Sequence, residues 1–308
     1  MSTLWAFPGQ GAQQPGMLQA LPEAPLVQAC IEQASAALGE DVRLLDSAEA
    51  LQDTRAVQLC LLIAGVAAAR LLGERGHRPD YVAGLSIGAY AAAVVADALG
   101  FADAVRLVAL RGELMQRAYP HGYGMTAILG LDQARIEGLL ADAEGPVYLA
   151  NINAETQLVI AGSDAAMARL AEHARALGAG AAKRLVMSVP SHCELLAAPA
   201  RELAAAFAQV ELRAPRVRYL SGSSARLIRD PETLRDDLAM NMSRVVDWQA
   251  TLTTAYERGV RLHLELPPGG VLTGLARRVF EPGQAIAFTG ARLDTLDAML
   301  RQEVSRDR

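Results

Sequence analysis

An α/β fold is predicted, with a larger body built on a parallel sheet and interrupted by a smaller domain of its own topology. Three observations carry that prediction. Short apolar runs alternate with helical patterns through residues 4–119. A turn reading Gly84-Leu85-Ser86-Ile87-Gly88 lies between an apolar run at 81–83 and an alanine-rich stretch at 90–99. Residues 123–189 then change character, reading strand, helix, strand, strand, helix, strand.

A strand over residues 4–7 leads into Pro8-Gly9-Gln10-Gly11-Ala12-Gln13. Glycines at that point let backbone approach a ligand at the carboxyl edge of a sheet. Helical patterning covers 25–38 and 56–75, where Gly76 and Pro79 stop it. The run at 81–83 reads as a strand, and helices follow near 91–99 and 102–119. Strand and helix in alternation imply a parallel sheet covered on both faces. In the middle, 124–129 reads as a strand and 132–143 as a helix. Two strands at 147–152 and 157–161 flank a polar turn, 164–177 is helical with Asp164 as cap, and 183–189 is a final strand. That order is the ferredoxin-like split unit. The expected division is therefore a small domain at 123–189 inserted into a body made of 1–122 and 190–308. Helices at 194–209 and 230–240, a strand at 260–266, the loop Pro267-Pro268-Gly269-Gly270 and a helix at 272–280 complete the body.

Composition narrows the function. A chain of 308 residues with 52% apolar residues has ample material for a core. Its mean hydropathy of +0.17 raises the question of a membrane span. The longest apolar runs, 59–69 and 81–96, fall short of the roughly 20 residues a span needs, so none is expected. The start, Met1-Ser2-Thr3-Leu4-Trp5, shows no secretory signal pattern. Cys30, Cys60 and Cys193 are odd in number and widely spaced, which predicts neither a disulfide framework nor a zinc site, and a cytoplasmic setting. A net charge of −5 gives no reason to expect nucleic acid binding. Lys183 is the single lysine among 29 basic residues, so an arginine carries little weight merely for being one.

Ser86 is the first chemical candidate. Strand, sharp turn and helix around Gly-x-Ser-x-Gly make a nucleophile elbow, with the hydroxyl lifted clear of the sheet. This motif makes the predicted body hydrolase-like. The following helix N-terminus would face any oxyanion formed there. Such a serine needs a base within hydrogen-bond reach. Of five histidines, His77 and His121 lie beside Gly or Pro in expected surface loops, His173 lies on a polar helix face and His263 within a strand. His192, in Val189-Pro190-Ser191-His192-Cys193, stands where the small domain rejoins the body, and loops at such junctions commonly carry function. Arg111 reads locally as a solvated helix arginine, with a fork for a carboxylate as the functional alternative.

Taken together these segments resemble the malonyl-CoA:acyl carrier protein transacylase family. The matching segments are Phe7-Pro8-Gly9-Gln10-Gly11-Ala12-Gln13, the elbow through Ala89-Tyr90, Arg111-Gly112-Glu113-Leu114-Met115 and Ala150-Asn151-Ile152-Asn153 with 157–162. Ser188-Val189-Pro190-Ser191-His192 and the glycine loop at 265–275 complete the series, in order along nearly the whole chain. The resemblance implies Ser86 as nucleophile, His192 as general base and acid, and Arg111 as holder of a malonyl carboxylate. It also implies backbone N–H groups of Gln10 and Ile87 as the oxyanion hole. Asn241 falls where the family usually has a glutamine whose carbonyl orients the histidine.

The elbow departs from the usual Gly-His-Ser-Leu-Gly-Glu at Leu85 and Ala89, a version that looks like the epsilon subunit of bacterial malonate decarboxylase. Ser191 replaces a phenylalanine usual in malonyl-specific members, which implies room for a branched acyl group. The resemblance thus implies ping-pong malonyl transfer from malonyl-CoA to the arm of an acyl carrier protein, in a malonate decarboxylase with partner subunits. A fatty-acid-synthesis transacylase, a serine thioesterase or esterase, and a non-catalytic scaffold subunit are the alternatives. No metal and no resident cofactor is expected; the CoA thioester is substrate. Lys183-Arg184 and Arg277-Arg278 are candidate carrier contacts.

Overall fold

The computed structural model describes residues 2–305. Strand β1 (Ser2–Phe7) opens the body and is followed by helices α1 (Pro25–Leu38) and α2 (Thr54–Glu74). Strand β2 (Tyr81–Gly84) runs into α3 (Gly88–Val95) and α4 (Phe101–Ala118). The inserted segment contains β3 (Tyr123–Leu129), α5 (Gln133–Ala141), β4 (Val147–Ala154), β5 (Gln157–Ser163), α6 (Asp164–Ala176) and β6 (Ala181–Arg184). The body resumes with α7 (Ala197–Ala206), β7 (Arg218–Leu220), β8 (Leu227–Ile228), α8 (Pro231–Met240), β9 (Val246–Asp247) and α9 (Trp248–Glu257). It ends with β10 (Val260–Glu265), α10 (Val271–Ala276), β11 (Gln284–Ala287) and α11 (Leu293–Ser305).

The body sheet has the order β11-β10-β1-β2-β7-β8. Its neighbours are parallel except at the β8 edge, which pairs antiparallel with β7. β1 lies inside the sheet, so Phe7 and Gly84 end side by side and their loops open on one edge. Ligands of open parallel sheets bind at that carboxyl edge.

Local chemistry explains where the helices begin and end. Pro25 occupies the first turn of α1, and Gly39, at φ 75°, closes it with its N–H on the Ser35 carbonyl. Asp53 caps α2 by accepting from the N–H groups of Arg55 and Ala56. Helix α2 is long and apolar enough by itself to cross a bilayer, longer than the apolar run at 59–69 implied. Its most apolar stretch is 89% buried, and it packs on α1, α3 and α4 as a core helix.

The small sheet has the order β6-β3-β5-β4-β9. Three details differ from the expected pattern. The last strand of the inserted segment stops at Arg184 instead of continuing to 189. The chain must leave the sheet there to carry residue 192 back to the elbow, and Arg184 fastens the departure. Its guanidinium donates to the carbonyls of Tyr123, Met125, Leu185 and Met187 and to the Asp164 carboxylate. A fifth strand, β9, comes from the body and pairs parallel with Asn151 and Ile152 of β4. Ser163 rather than Asp164 caps α6, accepting from the Ala166 N–H.

The turn between β2 and α3 packs backbone directly against backbone. A Cβ on Gly84 would lie 2.0 Å from the Gly88 carbonyl carbon, and one on Gly88 would lie 2.1 Å from the Phe7 carbonyl oxygen. Both obstacles are backbone and cannot rotate away. Gly84→Ala is therefore expected to lower unfolding free energy by more than about 3 kcal/mol through overpacking, read as a drop in the denaturation midpoint at unchanged m-value.

Candidate active site

The elbow holds Ser86 at φ 55°, a left-handed conformation rare for a side chain-bearing residue, and leaves it 8% exposed. His192 is also left-handed, at φ 65°, and 2% exposed. Two strained non-glycine residues thus face each other, which is common where function holds the backbone. The His192 Nε2 lies 2.7 Å from Ser86 Oγ. Opposite it, Nδ1 meets the backbone carbonyls of Asn241 at 3.0 Å and Arg244 at 3.2 Å. Carbonyls accept only, so Nδ1 carries the proton and Nε2 is free to take one from the serine. Among the described residues no carboxylate touches this imidazole, which leaves a Ser–His dyad backed by peptide groups.

Burial pulls His192 down to about 4, helped by the Arg111 charge and opposed by the Asn241 and Arg244 carbonyls. The ring is therefore neutral, and able to act as a base, throughout the neutral range.

Arg111, on α4, is not a solvated surface arginine. It is fully buried, and its Nη1 donates to Gln58 Oε1 at 2.7 Å. Its Nη2 donates to Asn241 Oδ1 at 3.2 Å and to Ser86 Oγ at 3.3 Å. Desolvation lowers its pKa, yet a guanidinium stays charged. All these partners are neutral, its Nε has none, and no Asp or Glu pairs with it among the described residues. A cation in that position is electrostatically incomplete. Asn241 thus works through two groups, with its peptide carbonyl on His192 and its amide on Arg111.

A cavity of about 250 Å³ opens over the dyad. Its floor includes Gln10, Gln58, Ser86, Ile87, Ser191 and His192, and its far wall comes from the small domain through Met125, Asn151, Asn153 and Met187. Arg111 lies just behind that floor, so an acyl group reaches it only by exchanging one of its side-chain contacts. Gln10 and Ile87 line the cavity together with Ser86, and neither N–H has a protein partner among the described residues.

Gln58 was not a sequence candidate. It is 1% exposed in α2, and it is the sole polar residue in the run 56–69, which is the signal that marks it. The other histidines are elsewhere. His121 and His173 are exposed. His77 is buried rather than in a surface loop, with Nε2 2.9 Å from Asp297 of α11. His263 is enclosed in β10 with both ring nitrogens unpartnered, and burial lowers it to about 3. Among the described residues no cluster of His, Cys, Asp and Glu has metal-binding geometry.

Fold and dyad define a serine acyl-transfer protein with an inserted small domain. Residues 4–301 match the acyl transferase domain family, and the chain belongs to that family. It is 40% identical over 292 residues to the malonyl CoA-acyl carrier protein transacylase of Salmonella typhimurium, covering 92% of this chain and 94% of that one. The Bacillus subtilis transacylase is 33% identical over 291 residues, covering 92% of each. Among solved structures, the transacylase of Coxiella burnetii superposes with a TM-score of 0.92 at 35% identity, over 99% of this chain and 98% of that one. A malonyl-transacylase solved in complex with a type II polyketide acyl-carrier protein gives 0.90 at 36% identity, over 94% and 97%.

Because the folded pKa of His192 is depressed below the unfolded value, the unfolded chain binds the extra proton between pH 6.5 and about 4. This residue's contribution to stability is therefore full above pH 6.5 and falls as pH drops toward 4. Ser86 modification by a fluorophosphate should stay fast down to about pH 5 and decline near 4. A limb near pH 6.5 instead contradicts a buried, desolvated base.

Proposed function

We propose that this chain is a malonyl-CoA:acyl carrier protein malonyltransferase working through a malonyl-Ser86 ester. One observation carries the choice of acyl group: the buried Arg111 guanidinium, without a carboxylate partner, 3.3 Å from the Ser86 hydroxyl. A dicarboxylic half-thioester brings the missing negative charge to that place. His192 takes the Ser86 proton as Oγ attacks the thioester carbonyl. The tetrahedral oxyanion then lies toward the N–H groups of Gln10 and Ile87, each worth about 3 kcal/mol by analogy with deleted donors. Collapse expels the CoA thiolate, which takes the proton from His192. In the second half-reaction His192 deprotonates the carrier's pantetheine thiol, which attacks the ester and frees Ser86. The reaction requires no resident metal or cofactor, because the thioester is already activated. Ser191 at the cavity floor, small where a phenylalanine is usual, is proposed to leave room for a branched acyl group.

A fatty-acid-synthesis type of transacylase is the preferred setting, supported by relatives that match over nearly their full length. Leu85 and Ala89 in the elbow favour the second reading, a malonate decarboxylase component with partner subunits. Acceptor choice separates the two: transfer to a fatty-acid carrier supports the first, and transfer only to the decarboxylase carrier subunit supports the second. Either setting is cytoplasmic, in keeping with three free, buried cysteines.

The carrier contact we propose is the cavity rim. Lys183, Arg277 and Arg278 are exposed and have no ion-pair partner among the described residues, whereas Arg184 is engaged with Asp164. Helix α10 brings Arg277 and Arg278 beside Val271 and Leu275 at the cavity. Reversing their charge should raise the KM for an acidic carrier about tenfold and leave malonyl-Ser86 formation unchanged. Loss of the ester itself assigns them elsewhere.

Arg111→Ala should abolish malonyl transfer, by about 10⁴-fold, while acetyl transfer persists or rises. Mass spectrometry of the acyl-enzyme reads both. Undiminished malonyl-Ser86 in that variant removes the carboxylate role, and absence of any Ser86 adduct in the wild type removes the transfer reading.

A further inference from the structure

We propose that the ion pair between Asp236 and Arg244 is a positioning device for the base, holding the Arg244 carbonyl against His192 Nδ1 and so aiming Nε2 at Ser86. The inference deepens the transfer reading above and rests on it only for its kinetic consequences.

The two carbonyls that support the imidazole are not equally secured. Asn241 continues directly from the end of α8, so helix geometry fixes its peptide. Arg244 lies beyond a single 3-10 turn, where the chain becomes extended at φ −114° and ψ 144° before entering β9. Its own N–H holds the Asn241 carbonyl only at 3.3 Å. The guanidinium compensates for that slack. It reaches back to α8 and grips Asp236 through two bonds, Nη1 to Oδ2 at 2.6 Å and Nη2 to Oδ1 at 3.0 Å. Forked pairing of this kind fixes direction as well as distance.

Asp236 is itself well founded. Its neighbour Asp237 is buried, accepting from Ser221 Oγ at 2.5 Å and from the Tyr219 hydroxyl at 3.2 Å. The path from the body sheet to the base therefore runs through β7, α8, Asp236, Arg244 and His192 without a gap. A second hold acts on the same turn, where the His192 N–H donates to the Met242 carbonyl at 2.7 Å. Among charged groups, Arg111 from α4 acts on the ring from the Ser86 side, while Asp236 and Asp237 from α8 act on Arg244.

Both partners are largely exposed, with side-chain accessibilities of 43% and 59%. An exposed pair contributes little to global stability. Its removal should therefore disturb the base while leaving the fold intact, which makes the inference testable.

The test is Asp236→Ala, Asp236→Glu and the wild type, each labelled at Ser86 with diisopropyl fluorophosphate across pH and assayed for malonyl transfer. In Asp236→Ala, labelling and kcat should both fall about tenfold, with KM for malonyl-CoA changed less than about twofold. The acid limb of labelling should move to lower pH, because the imidazolium loses an acceptor. Asp236→Glu should restore rate and limb, and thermal midpoints should agree within about 2 °C. Wild-type labelling with an unmoved limb in Asp236→Ala overturns the inference. So does a slowing that raises KM equally or that glutamate does not rescue. The fluorophosphate needs no malonyl group, so normal labelling without malonyl transfer defeats the transfer reading alone.

Discussion

The contact between Ser86 Oγ and His192 Nε2 closes a loop of 106 residues, and much of the architecture exists to keep it at 2.7 Å. Neither residue sits in a comfortable backbone conformation. Left-handed geometry at two non-glycine positions costs of order 1–3 kcal/mol each and persists only where surrounding packing dictates it. At Ser86 that packing is backbone against backbone, of Gly84 on the start of α3 and of Gly88 on Phe7 at the end of β1, which permits only glycine at 84 and 88. At His192 it is the turn after α8, which supplies three carbonyls, two to the ring and one to the main chain.

Electrostatics complete the design. His192 is kept neutral by burial and by the charge of Arg111, so the base is available without an acidic third member. Arg111 in turn is held by neutral oxygens from Gln58, Asn241 and Ser86, which orient the guanidinium without neutralising it. The two groups are therefore interdependent. The same unbalanced charge that is proposed to receive a carboxylated acyl group also discourages protonation of the imidazole beside it.

How much of this was legible in the chain depends on which atoms do the work. The elbow was readable because glycine, serine and glycine at fixed spacing are forced by a steric constraint. His192 was readable from its junction between two patterns, and the order of the inserted segment from its alternating periods. Strands β7, β8, β9 and β11 were not identified, since two to four residues give no periodic window. The support of His192 by Asn241 and Arg244 comes from peptide carbonyls, which every residue has, so no side chain announces it. Arg111 read as a surface arginine because arginine is abundant in the chain and most helix arginines are solvated; only packing against α2 reveals its burial. Gln58 was visible as a lone amide in an apolar run, but its partner lies 53 positions away.

Strand β9 gives the small domain a third attachment. Two crossings of the chain join it to the body, and Val246–Asp247 then leave the turn beneath the imidazole and enter the sheet of the insert beside β4. The insert is thus laced to the turn that supports His192 by a tether only one residue long. With Arg244 giving its carbonyl to the ring and Val246 already paired with Asn151, the edge of one sheet and the support of the imidazole are separated by Val245 alone.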